Sequence, residues 1–320
     1  MKSSVKIRCL VLGGMALGIL LCVTACRSDR YRFSSSTLEA WYPLDESAPD
    51  PDSLSGLRVV LQADWVAKSP YGRAVADRIN DALLDALCGS VYGDTEPGDH
   101  TMGADEALAD ATSGMELMAA VDAVEPAPEP ALTYGRQLAD AILAEQPLGK
   151  AAFDGWMQAL VNRYLLEYRQ DLGGLAAEIA AGRFSPNAAA YELECHQLLE
   201  VSDKDVMVWK TVLYVYTGGA HGSQLVRYLN IDPETGAEIT LSEVLKPDMM
   251  DAVRDRVRAK LAESAESRDI FDLATVTLPS QFRLGGDSIV FQYQIYEIAP
   301  YVSGPIAVCL TKAELADCLR

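Results

Sequence analysis

Residues 191–216 read YELECHQLLEVSDKDVMVWKTVLYVY, and their periodicity decides the fold class. In the second half Val208, Val212, Tyr214 and Tyr216 alternate with Trp209, Thr211, Leu213 and Val215. A two-residue period puts these sets on opposite faces of a strand. Both sets are largely apolar, which suits a strand covered on both sides. Ser202-Asp-Lys-Asp205 is the polar interruption between two such runs, so the stretch reads as Tyr191 to Val201, a tight turn, and Val206 to Tyr216.

The pattern just upstream is helical. Phe153, Trp156, Met157, Leu160, Val161, Tyr164, Leu165 and Tyr168 recur at three- and four-residue steps, as one face of a helix requires. Gly173-Gly174 and Arg183-Phe-Ser-Pro186 end that pattern. Further back, Leu57 to Val66 reads as a strand, and Val75, Ile79, Leu83 and Leu87 as an amphipathic helix over 71–88. Downstream, the loop TGGAHG (217–222) leads into a strand at Leu225 to Ile231, and Asp232-Pro-Glu-Thr-Gly236 is a turn. Ser242 fits a helix N-cap, Met250, Val253, Val257 and Leu261 a helix face, and 282–298 a hairpin around Gly285-Gly-Asp287. Ile306 to Leu310 supplies a last strand, and Thr311 with Glu314 has the spacing of a capping box opening a terminal helix. Strands and helices come in runs, so the expected class is α+β: antiparallel sheets packed with amphipathic helices, in two associated subdomains, 56–190 and 191–320. A low-order acidic insertion is expected near 89–132.

The start of the chain reads differently. Lys2, Lys6 and Arg8 precede the apolar run Cys9 to Val23, which is shorter than the roughly 20 residues of a membrane span. Val23-Thr-Ala-Cys26 closes it. This is a secretory signal over 1–25, and VTAC resembles a bacterial lipobox, which implies a lipid on Cys26 and attachment to a membrane. An ordinary signal with an incidental cysteine is the alternative. The polar residues 26–55 read as a tether. Formal charge is −19, and removing the basic start makes it more negative; such a field repels nucleic acid and attracts cationic partners. Cys88, Cys195, Cys309 and Cys318 follow Cys26 without a framework spacing; Cys309 with Cys318, or buried free thiols, are the two readings.

Little in the residues points to catalysis. The three histidines are His100, His196 and His221, with no HExxH or His-x-His, so no metal, cofactor or catalytic group is expected. His196 adjoins Cys195 on a strand, so the two face opposite ways. His221 alone sits in a glycine-rich loop.

The order of several motifs is informative. YTGGAH (216–221), a strand, the D-x-x-T-G turn at 232–236, TLSE (240–243) and Tyr296-Glu-Ile-Ala-Pro-Tyr-Val-Ser-Gly304 together resemble a bacterial exported domain over about 190–312. It is the domain of RsiV-type anti-sigma factors, which sense lysozyme, and of the non-catalytic region of PdaC-type peptidoglycan deacetylases. The resemblance implies an α+β exported domain whose role in one branch is protein binding. Deacetylation belongs to a separate domain with metal-binding histidines, a pattern not found here. MKSSVKIR, ahead of the apolar run, is too short to hold a sigma factor. The expectation is a non-enzymatic, lipid-anchored protein of the bacterial cell envelope that binds lysozyme or another cationic cell-wall-active protein. Candidate ligand contacts are Tyr216, Thr217, Gly218, Gly219, His221, Tyr296, Glu297 and Tyr301. Peptidoglycan binding is the alternative, and a hydrolase using His221 a third reading.

Overall fold

The computed structural model describes residues 30–44, 55–92, 149–264 and 269–320. A five-stranded sheet in the order β1-β2-β3-β4-β5 comprises β1 (Arg32–Pro43), β2 (Gly56–Lys68), β3 (Ala190–Ser202), β4 (Met207–Tyr216) and β5 (Ser223–Ile231). All neighbours are antiparallel except β2 and β3, which run parallel. The connection between that parallel pair carries α1 (Arg73–Tyr92), α2 (Lys150–Leu172) and the short α3 (Leu175–Ala180). A second, antiparallel sheet in the order β6-β7-β8 follows, with β6 (Gln281–Gly285), β7 (Ser288–Tyr293) and β8 (Ile306–Thr311). Before it come α4 (Leu241–Val244) and α5 (Met250–Glu263). The α+β class with two sheets is as expected.

Each sheet has its own core. Leu57, Val59 and Leu61 of β2, Leu193 and Cys195 of β3, and Trp209 and Leu213 of β4 face α1 and α2. Ile79, Leu83 and Leu87 meet them from α1, and Phe153, Trp156, Leu160 and Tyr168 from α2. The aromatic stripe of α2 is therefore core. In the second unit Val253, Val257 and Leu261 of α5 pack on Phe282, Ile289, Phe291, Val308 and Leu310, the alternate residues of β6 to β8.

A bulge between Leu199 and Val201 joins the two cores. Up to Leu199, odd-numbered residues of β3 face the helices; the extra residue turns Val201 to the opposite face, opposite Val208. Val206 and Val208 are buried in the second core, while Met207 and Trp209 remain in the first. Between β5 and the second sheet, amide side chains take the place of a backbone ladder. The Asn230 side chain donates to Phe282 O and accepts from Leu284 N–H, both at 2.8 Å. Gln281 Oε1 accepts from Tyr228 N–H, and Gln294 both accepts from Val226 N–H and donates to Val226 O.

Four expectations need correction. Residues 32–43 of the expected tether form β1, whose Leu38, Ala40 and Tyr42 lie opposite Leu61, Val59 and Leu57. An edge strand needs apolar cover on one side only, so SSST reads as loop although Ser36 is buried. The boundary at 190/191 falls within a continuous sheet, because β3 to β5 complete the sheet begun by β1 and β2. Helix α4 is capped by Thr240, whose N–H donates to the Glu243 carboxylate at 2.8 Å; Ser242 lies inside it. The capping-box bonds at Thr311 and Glu314 form, but turns follow instead of a helix. The tail must extend to pair with 244–246, through Lys246 N–H to Cys318 O and Arg320 N–H to Val244 O.

Cys195, Cys309 and Cys318 are free thiols, Cys195 and Cys318 buried and Cys309 exposed, so the Cys309–Cys318 pairing is not formed. The signal segment 1–25, Cys26, His100 and the insertion beyond Tyr92 lie outside the described residues, as does the Cys88 side chain. No helix among the described residues is long and apolar enough to cross a membrane.

Candidate functional site

The TGGAHG loop joins the end of β4 to the start of β5. Gly218 and Gly219 have φ of +87° and +89°, a conformation that L side chains adopt only with strain. The Tyr216 hydroxyl folds over this loop and donates to Gly219 O at 3.1 Å. His221 Nδ1 donates to Gly222 O at 3.0 Å. The Tyr296 hydroxyl lies 3.3 Å from His221 Nε2, within hydrogen-bonding reach. The His221 ring stacks on Tyr301 with centroids 3.8 Å apart and planes 19° apart.

The second wall of the site is the segment from Gln294 to Gly304. Tyr296 has φ +65°, the one non-glycine residue among the described residues with positive φ. Such a conformation costs on the order of 1–3 kcal/mol and persists where surroundings enforce it. Two clamps do so here. The Glu297 carboxylate accepts from Gln294 N–H at 2.7 Å, and the Gln294 amide holds Val226 of β5. The strain holds the Tyr296 hydroxyl towards His221. Beyond Tyr301, Val302 is 86% exposed, and the neighbouring loop, tied by Phe271 N–H to Ile298 O, presents Phe271 at 63%.

Of the candidate residues, the structure brings His221, Tyr296 and Tyr301 into one cluster and sets Tyr216 beside it. Glu297 serves as an internal clamp of the turn; Gly218 and Gly219 shape the loop. Thr217 lies between Tyr216 and the glycine pair. Sequence reasoning missed Tyr214, whose ring sits against Gly222: a Cβ there would lie 2.5 Å from the ring. It also missed Glu192 and Glu194, which with Tyr214 and Tyr216 line one face of the sheet. Burial, and next the charge of Glu192, push the Tyr214 hydroxyl above its ordinary pKa. Period-two alternation was the signal that could have found all three. Among the described residues no three His, Cys, Asp or Glu side chains are grouped to hold a metal ion.

Residues 232–312 match a family described as a protein of unknown function, DUF3298. A crystal structure of a DUF3298 family member from Bacteroides fragilis is similar over 91% of this chain and 94% of that one, at 18% identity and a TM-score of 0.61. A DUF3298 family protein from Pseudomonas aeruginosa covers 91% of this chain and 95% of its own, at 14% identity and a TM-score of 0.47. No curated protein matches. The Bacteroides fragilis likeness shows the fold, and the matched segment contains the Tyr296–Gly304 wall of the site.

Proposed function

We propose that this protein is a lipid-anchored, non-enzymatic binding protein of the bacterial cell envelope whose RsiV/PdaC-like domain captures a cationic cell-wall-active protein of the lysozyme type. The observation that carries the reading is the preorganised cluster of His221, Tyr296 and Tyr301. Tyr296 is held in a strained conformation, and strain of this kind gathers at binding sites. Exposed Phe271 and Val302 flank the cluster as apolar anchors, and tyrosines of this kind supply contact area at low entropic cost. A chain of net charge −19 favours a basic partner, by steering its approach. The order of motifs from YTGGAH to YEIAPYVSG supports the same family role.

Calorimetric titration with a c-type lysozyme, at low and at physiological salt, tests the proposal. Saturable binding is expected at both, weakened about tenfold or more by Tyr301→Ala or His221→Ala. Binding that vanishes at physiological salt would reduce the interaction to charge attraction and refute a specific site. Lipid attachment is tested separately, by incorporation of labelled palmitate that Cys26→Ala abolishes.

A further inference from the structure

The face of the five-stranded sheet opposite α1 and α2 carries an open groove of about 330 Å³, lined by Glu194, His196, Val212, Tyr214 and Gln224. Its floor follows from the register. Glu194, Tyr214 and Gln224 stand side by side across β3, β4 and β5, and His196 lies opposite Val212 in the next row. No described helix covers this stretch: the helices pack on the other face, the second sheet covers the end near Val201 and Val208, and Gln294 borders it at Val226, opposite Val212.

We infer that this groove is a carbohydrate site, taking one or two pyranose rings with the Tyr214 ring as the stacking surface. Three observations support that ligand class. First, a pyranose offers an apolar C–H face and a rim of hydroxyls; the groove offers one aromatic ring and, around it, a carboxylate, an imidazole and an amide. Second, the His196 and Gln224 side chains have no hydrogen-bond partner among the described residues, so their donors and acceptors are available. Third, the Arg58 guanidinium spans Glu192 and Glu194, bonding Glu194 Oε1 at 2.7 Å. It offsets one of the two carboxylate charges and fixes Glu194 as an oriented acceptor for a hydroxyl. The volume is at the lower end of the range for small-molecule sites, enough for a short saccharide. This site does not depend on the protein-binding role of the His221 cluster, although Gly222 links the two by touching the Tyr214 ring.

The test is titration of the purified protein with tri-N-acetylchitotriose, followed by calorimetry. The expected result is saturable binding, retained in Tyr214→Phe, weakened about tenfold in Tyr214→Ala and in Gln224→Ala, and changed less than about twofold in Tyr301→Ala. Gln224 is a surface side chain, so its variant keeps the reading testable if Tyr214→Ala fails to fold. Absence of saturable binding overturns the inference. So does sugar binding that Tyr301→Ala abolishes, which would put the sugar on the loop cluster. A groove that takes an arginine-rich peptide and no sugar also overturns it. Lysozyme binding that survives in Gln224→Ala, with sugar binding lost, shows the two sites to be separate.

Discussion

Replacing Asn230 with alanine removes the centre of the amide seam between the two sheets. Asn230 is 2% exposed, and its side chain both donates to Phe282 O and accepts from Leu284 N–H at 2.8 Å. Each bond contributes about 1 kcal/mol net, and an orphaned buried partner costs about 1–3 kcal/mol more. With two bonds lost and a partner orphaned, the expected loss is about 3–5 kcal/mol, equivalent to a fall in melting temperature on the order of 10 °C. Urea unfolding followed by circular dichroism would show a lower midpoint with an unchanged slope. Asn230→Asp sharpens the test. It keeps the acceptor for Leu284 N–H, but burial penalises its charge and raises its pKa, so its stability deficit should be smallest at low pH and grow as pH rises. A loss below about 1 kcal/mol for Asn230→Ala would refute the reasoning, because it would mean that the seam groups are satisfied without the amide.

Two further outcomes follow from the site and the tail. Tyr296→Gly relieves the left-handed backbone while removing the hydroxyl at His221, so lysozyme titration should show weakened binding while the melting temperature falls little or not at all. The Arg256 guanidinium holds Asp317, and the Lys260 ammonium Glu314, each down at about 2. Carboxylates depressed in this way stabilise the fold above the ordinary carboxylate range and lose that contribution as pH falls from about 4.5 through 2, so Arg256→Gln should flatten stability against pH in that window, measured by urea midpoints.

How legible the fold was depends on the range over which each interaction acts. The β3–β4 hairpin and the face of α2 were readable because a single periodic run carries each. Strand β1 was not, since its serines are tolerated by one-sided cover and its pairing with β2 leaves no local signal. The boundary at 190/191 misled for a related reason: the shift from helical to strand periodicity marks a change of element, whereas the parallel pairing of β2 with β3 is invisible locally. The amide seam left no sequence signal, because Gln281, Gln294 and Asn230 look like ordinary polar residues until two strands meet. At the site, the motif resemblance pointed to His221, Tyr296 and Tyr301, but the 3.8 Å stack and the strain at Tyr296 are tertiary facts. Tyr214 was legible as a strand residue, and its role in the groove was not.

The bulge at Leu199/Val201 lets synthesis and assembly run in the same direction. Residues 232–320 build their core against Val206 and Val208, so they have no wall to settle on until the hairpin is made. That hairpin precedes them in the chain. An emerging polypeptide can finish the first layer while the last 89 residues are still to come, and those residues then arrive at a prepared surface.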